Sequence, residues 1–172
     1  MPTIKNLDFS ERRYETMDVH EIIQSQYLAA LAMLNEAITK CPPTVWDASQ
    51  DKDKFWFKAY HAIYYAHLYL QPARKDFVRW KGLRKPTDNL PPLSKPEVLE
   101  YLAFVEHEVA HRVLATDFEA ESGFHGFHMS KLEFQLVNIR HIQQHTGELY
   151  ERLGTRENIK LDWAERRHRR TK

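Results

Sequence analysis

The sequence predicts an all-α fold, a four-helix bundle, from three observations. Four segments carry apolar residues at helical spacing, and three of them open on a capping residue followed three positions later by Glu. No stretch shows the sustained alternation of apolar and polar residues that marks a strand. The chain has 172 residues, of which 42% are hydrophobic, so it can form one domain with a sizeable core.

The first two helices have clear limits in the sequence. The first, residues 18–40, opens on a box formed by Asp18 and Glu21 and closes before two consecutive prolines. The second, residues 53–70, contains the aromatic run FWFKAYHAIYYAHLYL and ends before Pro72. The short link between them predicts an antiparallel pair.

The other two helices follow serine caps. The third begins after Ser94, whose capping partner is Glu97, and fades near residue 115; the fourth begins after Ser130 and stops at Gly154. A long, proline-bearing connection, residues 71–93, separates the second and third helices and can cross the bundle from end to end. These features together predict an up-down-down-up bundle with one crossover.

Charge and composition give no support for a nucleic-acid or membrane partner. Lys and Arg total 25 against 24 Asp and Glu, a formal charge of +1, and the basic end RRHRRTK is more typical of a solvated tail. The single cysteine, Cys41, excludes an intramolecular disulfide and is expected at a helix end. The first residues, MPTIKNLDFSERR, contain no apolar signal region, so the prediction is a cytoplasmic protein.

The segment NIRHIQQHTGEL places His141 and His145 four residues apart, which stacks two imidazoles on one helix face. With roughly 100° per residue, His145 falls about 40° from His141. Leu149 and Ile142 lie further round the helix in the same direction, so the two histidines lie at the edge of the apolar face. This position suits metal ligands that also meet substrate, and equally suits histidines that make hydrogen bonds at the edge of a core.

A third ligand would complete a catalytic zinc-type site. His61, in the aromatic second helix, is the best candidate. Because that helix is apolar nearly all round, periodicity leaves His67 open, and His20 has a similar claim on the first helix.

The stretch HEVAH, from His107 to His111, matches the HExxH signature of zinc peptidases. The buried stripe of the third helix includes Val105 and Val109, and each histidine lies about 200° beyond the valine two positions before it. Both histidines are therefore predicted to face solvent, which disfavours a peptidase.

The four capped helices, a histidine in the second helix and the RHIQQHTGEL segment in the fourth resemble the DinB/YfiT-like superfamily of metal-binding four-helix bundles. The resemblance implies a bundle over residues 1–155, followed by a basic extension, residues 156–172. It also implies a divalent metal held by His61, His141 and His145. Where the superfamily often has an acidic or polar residue four positions after the second-helix histidine, this chain has Tyr65.

The resemblance implies a metal-dependent enzyme acting on a small molecule, either a hydrolase or a thiol S-transferase with a low-molecular-weight thiol as cosubstrate. Zinc and nickel are the first candidates, although imidazole ligands also accept iron or copper. Catalytic residues are not assigned; Asn138, Glu148, Tyr64 and Tyr65 could orient a ligand or pack structurally. The alternative is a noncatalytic interaction protein with structural histidines, associating through aromatics of the crossover. A homodimer is compatible with either function.

Overall fold

A computed structural model describes residues 18–88 and 91–167. In these ranges the chain forms α-helices and short 3-10 turns, with one isolated bridge between Glu121 and Ser130 in place of any strand. The α-helices are α1 (Val19–Lys40), α2 (Pro43–Trp46), α3 (Phe55–Tyr69), α4 (Lys95–Arg112) and α5 (Lys131–Glu157). The predicted all-α class is therefore confirmed, and none of the described helices is long and apolar enough to cross a membrane.

The predicted capping residues begin three of the helices. The Asp18 carboxylate accepts hydrogen bonds from the backbone N–H groups of His20 and Glu21. Ser94 and Glu97 form a reciprocal capping box at the start of α4, and the Ser130 hydroxyl caps α5. These bonds satisfy N–H groups that have no partner inside a helix.

One helix limit and one short helix differ from the sequence prediction. The prediction that the fourth helix stops at Gly154 is wrong, because α5 runs through this glycine to Glu157 and ends on Asn158 in the left-handed conformation, φ +53°. Asparagine tolerates that conformation, so it replaces glycine as the residue that ends the helix. The short helix α2 was not predicted; it begins with Pro43, which is preorganised for a first helical position.

The four long helices surround one core, in which α1 and α3 each pack against both α4 and α5. The crossover covers one side of it. Its Trp80 ring stacks on Tyr101 of α4 at a centroid distance of 5.2 Å, and Phe77 packs against Tyr64 and His67 of α3. Cys41 ends α1, as expected, and is buried.

A buried lysine joins the loop before α5 to the end of α3. Lys131 is only 5% exposed, and its ammonium donates to the backbone carbonyls of Gln71, Pro72 and Ser122. Three carbonyl acceptors use all three ammonium protons, which offsets the cost of burying the charge.

After α5 the described chain returns along α1. The Lys40 ammonium donates to the Lys160 carbonyl, and the backbone N–H of Asp162 donates to the Glu36 carboxylate. Further along, Gln26 donates to the Glu165 carbonyl. The described part of the tail therefore lies against α1, whereas residues 168–172, like 1–17, lie outside the described residues.

Candidate metal centre

Helices α3 and α5 bring three histidines together. His61 lies midway along α3, whereas His141 and His145 are one turn apart on α5. The fully buried Asn138 fixes the two helices at this level by donating from its amide nitrogen to the Ala66 carbonyl, 3.1 Å away. Asn138 is thus a tie between helices, and its donor group does not turn toward the histidines.

The side-chain nitrogens of the three histidines converge. His141 Nε2 lies 3.3 Å from His61 Nε2 and 3.1 Å from His145 Nε2. All three candidate ligand atoms fit within 4.8 Å of one another, and the side chains are half-buried. In the described part of the chain, no other three His, Cys, Asp or Glu side chains meet in this way.

The centre lies in a groove between α3 and α5 that is walled by aromatic rings. On α3, Phe57, His61, Tyr65 and Tyr69 follow one another at four-residue spacing and are all half-buried. The Tyr65 ring lies 4.7 Å from that of His61 and 5.6 Å from that of His141. These rings form one wall of the approach to the histidines.

A cavity of about 210 Å³ opens beside the centre. His61 and His145 line it directly, together with Asp53, Phe57 and Lys58. A water molecule or a small organic group could therefore approach the converging nitrogens.

The surroundings hold two of the histidines neutral. Burial, reinforced by the nearby histidines, lowers the pKa of His61 and of His141 to about 4. At neutral pH each ring is therefore neutral and has one nitrogen with a free lone pair, as metal ligation requires.

Glu148 orients the third histidine. Its carboxylate lies 3.0 Å from His145 Nδ1 and 2.6 Å from the Lys58 ammonium. Burial alone would raise the pKa of Glu148, but the Lys58 and His145 hydrogen bonds hold it at about 2. An ionised acceptor at Nδ1 keeps the proton there and turns the Nε2 lone pair toward the other two histidines.

The remaining histidines that the sequence left open lie elsewhere. His67 is buried, with Nδ1 3.1 Å from the Tyr101 hydroxyl of α4, and His20 Nε2 lies 3.0 Å from the Thr116 carbonyl. Both are satisfied by their own neighbours, so the structure leaves His61 as the partner of the α5 pair.

The histidines of the HEVAH stretch face solvent, as predicted. His107 and His111 are exposed, and their rings lie in tilted contact at a centroid distance of 4.2 Å. They lie apart from the three-histidine cluster.

The donor set fits a divalent transition metal. Zn–N bonds of about 2.0–2.1 Å in a tetrahedral site place neighbouring ligand nitrogens roughly 3.3 Å apart, close to the two separations at His141. His141 Nδ1 is buried and has no hydrogen-bond partner among the described residues, so this ring is held by packing.

Sequence reasoning missed Lys58 and Tyr69. Lys58 lies three residues before His61, and Tyr69 continues the four-residue series of the groove. Their positions on one face of α3 were readable, but the closeness of Lys58 to Glu148 depends on how α3 meets α5.

No family model matches this chain, and no curated protein or solved structure is significantly similar to it.

Proposed function

We propose that the chain is a metal-dependent enzyme whose centre consists of His61, His141 and His145. The observation that carries this proposal is the convergence of three imidazole nitrogens beside an accessible cavity. Three neutral ligands leave a divalent ion with its full charge and with an open position. The reaction class we propose is hydrolysis or thiol S-transfer on a small molecule, within the DinB/YfiT-like superfamily.

We also propose the up-down-down-up order of that superfamily. Support comes from hydrogen bonds spaced along α1. In order along the chain, the bonded pairs are Gln24 with Ala110, Tyr27 with Gln135, Met33 with Tyr150, and Cys41 with Lys95. The partners on α4 descend in number as α1 ascends, whereas those on α5 ascend, as expected if α1 runs antiparallel to α4 and parallel to α5.

The contacts between α3 and α5 supply the remaining direction. Ala66 bonds to Asn138 and Lys58 to Glu148, so the later residue of α3 meets the earlier residue of α5. This supports an α3 that runs antiparallel to α5, and therefore also to α1.

When bound, the metal supplies Lewis acidity, which eases deprotonation of water or a thiol near neutral pH. The residues of the chain prepare the site for it. Glu148 holds the proton on His145 Nδ1, Lys58 anchors Glu148, and Tyr65 limits access of water from the groove. Either water or a low-molecular-weight thiol could enter through the cavity beside His145.

The test is elemental analysis of untagged protein reconstituted with zinc or nickel. We expect about one metal per chain in the wild type, with most of it lost in His61→Ala and in His141→Ala. His107→Ala is the matched control, because this exposed histidine lies outside the cluster.

Other results would favour other functions. Loss of metal in His107→Ala alone would favour the peptidase alternative. A chain that binds no metal and whose stability ignores chelators would favour the noncatalytic interaction protein. The inward packing of Phe77 and Trp80 already removes much of the aromatic surface that this alternative invoked.

A cytoplasmic location and a homodimer stay predictions. Sedimentation equilibrium measures the second directly, and we expect its result to be independent of metal content, because none of the three histidines is fully exposed.

A further inference from the structure

A second cavity, of about 380 Å³, lies on the other side of Tyr65 from the first. It is bounded by the last turns of α3, by the crossover and by the loop before α5. Aromatic side chains form its walls, and three cations, Arg74, Arg79 and Lys85, lie among its lining residues. We call it the basic pocket.

The cations of the basic pocket have no acidic partner among the residues that line it. No carboxylate lines the pocket, and in residues 18–88 and 91–167 none of its three cations forms an ion pair. Asp88 accepts a hydrogen bond from the backbone N–H of Lys85 and does not line the pocket, although its charge adds to the rise in the pKa of Tyr64. Three cations around one concave surface favour an anion.

Three tyrosines line the same space. Tyr64, Tyr65 and Tyr69 line the pocket, and none of their hydroxyls has a hydrogen-bond partner among the described residues. The other described tyrosines all have one: Tyr27 with Gln135, Tyr60 with Arg84, Tyr101 with His67, and Tyr150 with Met33. The unpaired hydroxyls are therefore concentrated at this pocket, where a ligand could accept their protons.

The charges and the hydroxyls act on one another. Burial raises the pKa of Tyr64, and the charges of Arg79 and Arg74 act against that rise. Arg74 acts on Tyr69 in the same direction. The cations and the tyrosines thus surround the same cavity.

Tyr65 connects this volume with the metal centre. Its ring lies between the pocket that it lines and the imidazoles of His61 and His141, at centroid distances of 4.7 and 5.6 Å. A planar molecule whose anionic end is held in the basic pocket and whose flat body passes along Tyr69 and Tyr65 would bring its other end to the centre.

We propose that the basic pocket binds the substrate of the metal centre and that this substrate is an anionic small molecule with a flat apolar body. A carboxylate or phosphate ester is held by Arg74, Arg79 and Lys85, while the flat part lies on the tyrosines. This inference rests on the proposed function for the reaction, although anion binding can be measured without it.

The first experiment is isothermal titration of zinc-loaded protein with 2-naphthoate, 2-naphthyl phosphate and the neutral 2-naphthylmethanol. Binding of one or both anions, weakened by added NaCl and clearly tighter than that of the alcohol, is expected. The anion that binds more tightly identifies carboxylate or phosphate as the anionic group of the substrate. Equal binding of the alcohol, or no binding of either anion, would overturn the proposal.

The matched variants are Arg79→Gln and Lys75→Gln. Both remove one positive charge from an exposed side chain of the crossover, but Lys75 does not line the pocket. Arg79→Gln is expected to weaken anion binding about tenfold or more, because it removes a charged hydrogen-bond donor. Equal losses of anion affinity in the two variants would mean that net charge alone explains the effect. This result would overturn the assignment of anion binding to the pocket.

The second experiment tests the link to the centre by proton relaxation of 2-naphthoate in the presence of cobalt-loaded and zinc-loaded protein. Paramagnetic cobalt should shorten the relaxation times of the bound probe, and zinc should not. Binding without this enhancement would place the anion away from the centre. Failure of metal binding itself, with Arg79-dependent anion binding intact, would contradict the proposed function and leave the anion pocket standing.

Discussion

The Glu148 carboxylate is shared between an imidazole of the proposed centre and the Lys58 ammonium. Its effect on the metal is indirect, through the proton at His145 Nδ1. Glu148→Gln keeps the size of the side chain but removes its charge, and the amide can turn its donor toward the ring. We expect metal affinity to fall about 10–100-fold, measured by competition with a chromophoric chelator.

The control is Glu151→Gln. This residue is exposed on α5, one turn beyond Glu148, and its change removes the same charge. An equal loss of affinity in both variants would mean that the general field of α5, and not the bond to His145, tunes the site.

The α5 histidine pair could be predicted because its spacing alone puts both rings on one face. The choice among His61, His67 and His20 could not be made from the residues. Helix α3 is apolar nearly all round, so only its packing shows that His67 turns to Tyr101 of α4 while His61 turns to α5. The ion pair between Lys58 and Glu148 could not be predicted for the same reason.

At the scale of elements, the loop before α5 depends on a close approach of two backbones. A Cβ at Gly123, where φ is +77°, would lie 2.1 Å from the Pro72 carbonyl oxygen. Gly123→Ala should therefore destabilise the fold by more than about 2 kcal/mol, since the strain of positive φ is joined by a collision with backbone. Urea unfolding measures the difference.

Gly126 provides the matched comparison. It has φ +89°, but a Cβ there meets nothing within 4 Å, so Gly126→Ala should cost about 1 kcal/mol from backbone strain alone. If the two alanine variants were equally stable, the approach of the loop to Pro72 would not constrain the fold.

The beginnings of three helices could be predicted from local caps, whereas the end of α5 could not. Capping boxes are local, so Asp18, Ser94 and Ser130 could be recognised from a few neighbouring residues. The end of α5 depends on Asn158 and on a tail that returns along α1, and nothing near Gly154 in the sequence indicates this contact.

At the scale of the whole molecule, one ion cluster connects the link before α3 with the end of α5. Asp51 accepts from Arg152 and Arg156, and the hydrogen bond from Arg156 is the main cause that lowers the pKa of Asp51. A lowered pKa in the folded state means that this contribution to stability is present above the unfolded value of about 3.9 and is lost as pH falls through the folded pKa.

Asp51→Asn should therefore lower the free energy of unfolding at pH 7, and its difference from the wild type should shrink below about pH 4. Urea titrations from pH 7 downward measure both quantities. Glu119→Gln, a change at an exposed carboxylate, is the control and should follow the wild type. A difference that grows with acidity would contradict the assigned role of Asp51.

The proposed centre draws its ligands from α3 and α5, which are 80 positions apart between His61 and His141. During synthesis, the α5 pair leaves the ribosome after α1, α3 and α4 have emerged. A nascent chain that ends before residue 131 therefore holds one of the three imidazoles and lacks the helix that packs against both α1 and α3. Metal binding would come after α5 has packed against α1 and α3. The ion would therefore stabilise the folded bundle and could not guide its early folding.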